Sequence, residues 1–181
     1  MKMAGPDRWK EVQRRQRAVT LLEVMIGAAI LTVAIVALLG AFIAQITLNE
    51  HARNLSWASN DASRVMEQLR RQNSGGACAL PSVTAPVGFA SWDAWLADTT
   101  VNGGGGKSVQ PAPAVNELVV VTPQGNDPLT VTVAICWRHR ERTIGECTWN
   151  GAALAANPGA GGDPAVTESP AMLSTFLTCR R

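Results

Sequence analysis

From Val24 to Leu48 the chain runs for 25 residues without a charged side chain, and only Thr32, Gln45 and Thr47 are notably polar. As a helix this run spans roughly 37 Å at 1.5 Å per residue, enough to cross a hydrocarbon core of about 30 Å. No other stretch of the 181 residues limits the fold so tightly.

The charges around it are segregated. Residues 1–18 carry six cations, Lys2, Arg8, Lys10, Arg14, Arg15 and Arg17, against Asp7 and Glu11. The other 163 residues hold ten cations and twelve acids, so the formal net charge of +2 belongs to the N-terminal extension. The body carries no basic footprint for nucleic acid, and no nucleic-acid partner is expected. Cations before the apolar run predict a cytoplasmic N-terminus and a C-terminal portion outside the cytoplasm. Cys78, Cys136, Cys147 and Cys179 all lie beyond the run. An even count on that side reads as two disulfides. Their spacings are wide, no C-x-x-C occurs, and His51 and His139 are the only imidazoles, so neither a metal nor another cofactor is expected.

An ordinary cleaved signal has an apolar core of about 7–15 residues, shorter than this one. A plain signal anchor fits the length but leaves Glu23 unexplained, a lone carboxylate at the start of the apolar segment. Such a charge is costly near a membrane and marks a function more often than not. Around it the chain reads R-R-Q-R-A-V-T-L-L-E and then the apolar run. This resembles the class III signal of type IV pilins and type II secretion pseudopilins, over residues 14–48. The resemblance implies that a prepilin peptidase cuts between Ala18 and Val19 on the cytoplasmic side. It also implies methylation of the new Val19 amine. Thr20, Leu21, Leu22 and Glu23 match the family's T-L-[IL]-E, whereas Ala18 and Val19 stand where Gly and Phe are usual. An α-amine has a pKa of about 7.7–8.0 and methylation keeps its charge, so Val19 offers Glu23 a counter-ion. In a bundle of such helices the pair would set the register between subunits.

Residues 19–72 read as one helix of about 80 Å at full extension, with no proline between Pro6 and Pro81. Gly40 lies where many pilins carry a helix-weakening proline. Past the apolar run, Leu48, Ala52, Leu55, Ser59, Ala62, Met66 and Leu69 recur at spacings of four and three, which predicts a buried stripe. Arg53, Asp61, Arg64, Arg70 and Arg71 fall off that stripe. "NSGGAC" at 73–78 ends the helix, and "SWDAWLAD" at 91–98 predicts a short helix with Trp92 and Trp95 on one side. "NGGGGKS" at 102–108 lacks the first glycine of a phosphate loop, Val101 standing there, and reads as a flexible loop.

Strands are expected at 117–122 and 129–140, paired as a hairpin, then at 145–150 and 172–179, with 151–165 as loop. Within 129–140, Val131, Val133, Ile135 and Trp137 alternate with Thr130, Thr132, Ala134 and Cys136, as in a half-buried strand. Four cysteines allow three pairings. Cys136 and Cys147 flank a turn around Glu141 and Arg142 and bridge easily, which leaves Cys78 with Cys179, a link contributing about 4–5 kcal/mol in the chain-entropy account. The resulting fold class is α+β, a long N-terminal helix on a small antiparallel sheet. Its parts are a leader (1–18), a transmembrane assembly helix (19–48), an amphipathic continuation (49–72) and a disulfide-stapled periplasmic domain (73–181).

No catalytic constellation stands out. His139 in "WRHRER" reads as solvated, the arginines at 138, 140 and 142 as an exposed turn, and Asp93, Asp98, Asp127 and Asp163 as scattered loop residues. The expected role is therefore structural, in a bacterial inner membrane and then at the cell surface. It is that of a minor subunit of a type IV pilus, most like the PilV-type minor pilins, with prepilin peptidase, other pilins and an inner-membrane assembly platform as partners. A minor pseudopilin of type II secretion is the alternative. A signal-anchored periplasmic binding or enzymatic domain is a third possibility.

Overall fold

The structure is a computed structural model that describes residues 20–74, 80–109, 116–139, 141–157, 166–167 and 171–179. The chain divides into two units, Met1–Leu48 and Asn49–Arg181. Helix α1, Leu21–Asn73, contributes to both and runs unbroken through Gly40. In the first unit its residues up to Ile46 are all exposed in the single chain. Two hydroxyls there are satisfied within the helix, Thr32 donating to the Ala29 carbonyl (2.8 Å) and Thr47 to that of Ile43 (2.9 Å). Such internal bonds leave no hydroxyl of the run dependent on water.

The second unit is built on the remainder of α1. Its buried face is Asn54, Ala58, Asp61, Ala62, Val65, Met66, Leu69 and Asn73. The expected stripe is right at Ala62, Met66 and Leu69 and wrong at Leu48, Ala52 and Ser59, which are exposed. Asp61, expected outside the stripe, lies at its centre with no exposed surface. Its Oδ2 accepts from the Ser108 N–H (2.7 Å) and its Oδ1 from the Ser108 hydroxyl (2.7 Å), while Arg64 pairs with it from the next turn. Arg64 also donates to the carbonyls of Gly104 (2.5 Å) and Gly106 (2.9 Å). The glycine-rich segment is therefore bound to the helix, not a flexible loop.

Helix α2, Trp92–Ala97, is capped by Ser91, whose side chain accepts from Ala94 N–H. Trp92 and Trp95 meet edge to face at 5.6 Å and enter the main core together. Each indole N–H is satisfied, Trp92 by the Val83 carbonyl (2.7 Å) and Trp95 by that of Asn102 (3.1 Å). Asn73 closes α1 by donating to the carbonyls of Leu69 (2.8 Å) and Ser82 (2.9 Å).

The strands are β1 (Glu117–Gln124), β2 (Leu129–His139), β3 (Arg142–Ile144), β4 (Cys147–Trp149), β5 (Leu154–Ala156), β6 (Val166–Thr167) and β7 (Met172–Leu177). β2 is the axis of a five-stranded sheet. β1 pairs along one side of it, antiparallel, as Glu117–Gln124 against Trp137–Thr130. On its other side β7 pairs with Leu129–Ala134 and β3 with Trp137–His139, both antiparallel. β6 joins β3 in parallel. Val131, Val133, Ile135 and Trp137, all without exposed surface, form the core with Ala58, Ala62, Val65 and Leu69 of the helix.

Three expectations about the strands need correction. Arg142 and Thr143 belong to a strand and not to a turn. The 151–165 stretch, expected as loop, contains β5, which pairs antiparallel with β4. β2 is not half-buried throughout, because Ala134 and Cys136 on its second face are covered as well. There Cys136, Cys147 and Leu154 form a small second core with Leu118, Val120 and Trp149. Cys136 and Cys147 are joined by a disulfide, with Cα atoms 6.2 Å apart. The chain passes over Cys136 at Gly145, where the φ is +108° and a Cβ would lie only 2.9 Å from the Cys136 Cα, so the position suits glycine alone.

That bridge closes a separation of 11 residues and holds the β4–β5 pair against the sheet. A Cys136→Ser, Cys147→Ser double variant is expected to lose about 3 kcal/mol of stability. Urea unfolding of the full chain in detergent checks it, and an unchanged midpoint would show that the apolar contacts of the second core suffice without the bond.

Candidate assembly site

The first turn of α1 is where the expected cut, the expected methylation site and the unexplained carboxylate meet in sequence. Ala18 and Val19 lie outside the described residues. Thr20 is the first residue described, and it caps the helix. Its carbonyl accepts from the N–H groups of Glu23 (2.9 Å) and Val24 (3.2 Å), and its hydroxyl from Glu23 N–H (3.3 Å). Thr at the cap with Glu three residues on is the capping-box pattern, a signal present in T-L-L-E and unused above. Glu23 also stands in the first turn, where a negative charge complements the helix dipole. Thus the motif has a local job, starting the helix at a fixed residue, besides any contact between chains.

Glu23 is exposed and, among the described residues, forms no ion pair within the chain. Large apolar side chains surround and follow it, with Leu21 81%, Ile30 65% and Val36 69% exposed. In length and composition the helix is sufficient to cross a membrane. A carboxylate on such a surface needs a cation once water is removed, because an isolated buried charge is prohibitively costly. Sequence places the Val19 amine four residues before it.

The other expected site residues are cysteines. Cys136 and Cys147 are bonded to one another. Cys179, just past β7, is also in a disulfide. Cys78, its expected partner, lies outside the described residues. His139 is half-buried, with its Nε2 shielded from water, and is not the solvated residue expected. Arg138 is half-buried too, its guanidinium 4.4 Å from the ring centre of Trp149, whereas Arg140 lies outside the described residues. Asp93, expected in a loop, stands in the first turn of α2. Among the described residues no cluster of three or more His, Cys, Asp or Glu is arranged to hold a metal ion.

Residues 13–39 match the family model of the prokaryotic N-terminal methylation motif. The match begins in the basic flank, crosses the Ala18–Val19 junction and Glu23, and ends within the exposed half of α1. No curated protein and no solved structure matches the chain. The motif, followed by a long apolar helix and an α+β domain with a disulfide, supports a precursor of the type IV pilin and pseudopilin type. A motif of this kind implies processing by a prepilin peptidase and assembly with other pilins.

Proposed function

We propose that the chain is a minor structural subunit of a type IV pilus and not an enzyme. The methylation motif at 13–39, running directly into an exposed apolar helix, carries this reading. Prepilin peptidase removes residues 1–18 and Val19 becomes the methylated N-terminus. Before assembly α1 anchors the subunit in the inner membrane, N-terminus in the cytoplasm and domain in the periplasm. An inner-membrane assembly platform then moves it into a filament, where Glu23 meets the amine of Val19 from its own or a neighbouring chain. The assembled subunit supports pilus biogenesis, adhesion or motility. The four cysteines, the long loops and the Ala18–Val19 junction favour a minor over a bulk subunit.

Shearing filaments from cells that carry a tagged chain tests the assignment. The subunit is expected in the sheared fraction, at low abundance beside a major pilin. Its retention in the periplasm with a secretion machinery would overturn the pilus assignment and favour a pseudopilin.

A further inference from the structure

Lys107 is the only lysine after Lys10; every other cation in residues 11–181 is arginine. It is also nearly inaccessible, with 3% of its side chain exposed. Its Nζ lies 2.7 Å from Oδ1 of Asp93 and 2.6 Å from the Glu117 carbonyl oxygen. Asp93 is fixed in turn, because the same Oδ1 accepts from Val119 N–H at 3.1 Å. Glu117 is itself only 1% exposed. Asp93, Lys107 and Glu117 line one cavity together with the apolar Leu118 and Leu154.

We infer that this is a site of self-modification, in which Lys107 and Asp93 condense to an intramolecular amide. As an ion pair alone the arrangement stabilises little, since Lys107 is desolvated while Asp93, its side chain 30% exposed, is partly screened by water. Where a buried pair is only structural, arginine is the better cation, with more donors and weaker hydration. Lysine differs in having an amine that becomes a nucleophile when its proton is removed. Amine and carboxyl are held in contact by partners on α2 and β1, and such positioning is worth an effective concentration of about 10⁵ M or more.

The step balances without any further reactant. A proton leaves the Lys107 ammonium, and the freed lone pair attacks Cγ of Asp93. The tetrahedral carbon then expels one former carboxylate oxygen. Nζ gives up two protons in all, both depart on that oxygen as water, and one N–H remains on the new amide. The proton transfer between nitrogen and oxygen is assigned to the carboxyl of Glu117, a residue that lines the same cavity. The product ties α2 to the segment entering β1.

Mass spectrometry of the full chain, with its disulfides reduced and alkylated, tests this. The expected mass is one water below that of the sequence. After unfolding, trypsin leaves the bond after Lys107 uncut, an amine-reactive reagent does not label Lys107, and fragmentation gives no backbone ions between residues 93 and 107. Lys107→Arg or Asp93→Ala, which removes the amine or the acyl carbon, restores the full mass of the variant sequence, and Glu117→Gln lowers the linked fraction at least several-fold. A wild-type chain of full mass, cut by trypsin at Lys107 and labelled on its ε-amine, overturns the inference whatever the variants do. An unchanged linked fraction in Glu117→Gln removes Glu117 from the step.

Discussion

Asp61→Ala is expected to destabilise the Asn49–Arg181 unit by about 3–5 kcal/mol, the usual cost of removing one partner from a buried charge network. Asp61 has no exposed surface and holds three groups at once: Arg64, the Ser108 N–H and the Ser108 hydroxyl. Without the carboxylate, Ser108 N–H loses its acceptor and Arg64 keeps a half-buried charge without its counter-ion. The glycine-rich segment that both of them anchor should then leave the helix. Trp95 would lose its partner in the same event, since its indole N–H donates to Asn102. Asp61→Asn keeps one acceptor and should cost less than the alanine. Thermal unfolding of both variants in detergent, followed by Trp fluorescence, checks the order. Wild-type stability in Asp61→Ala would show that the network holds the loop without contributing to the fold.

Glu23→Val is expected to insert into the membrane as well as the parent chain and to lose filament incorporation by about tenfold or more. Insertion depends on apolar length, and the substitution adds to it. On the proposed function, incorporation depends on a pair that forms only when helices bundle and water leaves, and breaking a buried pair costs several kcal/mol, each 1.4 kcal/mol being a factor of ten. Quantifying the subunit in membranes and in sheared filaments of the same cells separates the two steps. Equal incorporation of the valine variant would leave Glu23 with its local role only, in the first turn that Thr20 caps. Glu23→Gln sharpens the comparison. It retains a hydrogen-bonding side chain at the third helical position and removes only the charge.

The elements legible in the sequence are those whose pattern is local. The apolar run, the β1–β2 hairpin and the inward alternation of Val131, Val133, Ile135 and Trp137 each follow from neighbours within a few residues. What escaped depends on partners far along the chain. Asp61 looks like a surface acid because Ser108, which satisfies it, is 47 residues away. Lys107 looks like part of a solvated loop because its counter-ion and its carbonyl partner sit on α2 and β1. β3 and β5 have three residues each, too short for any alternation to show. At the candidate assembly site the methylation motif around Glu23 was legible in the sequence, and the structure added the cap at Thr20.

On the proposed function Val19 becomes the N-terminus, and intact mass measures this directly. The chain is produced in one host with and without a prepilin peptidase. With the enzyme the mass is expected to fall by residues 1–18, and by no more, with a methyl group added where the host also methylates. Without it the full chain of 181 residues should remain. An uncut N-terminus in the presence of active peptidase, while a control prepilin is processed, would contradict the account and leave the apolar helix as a plain anchor.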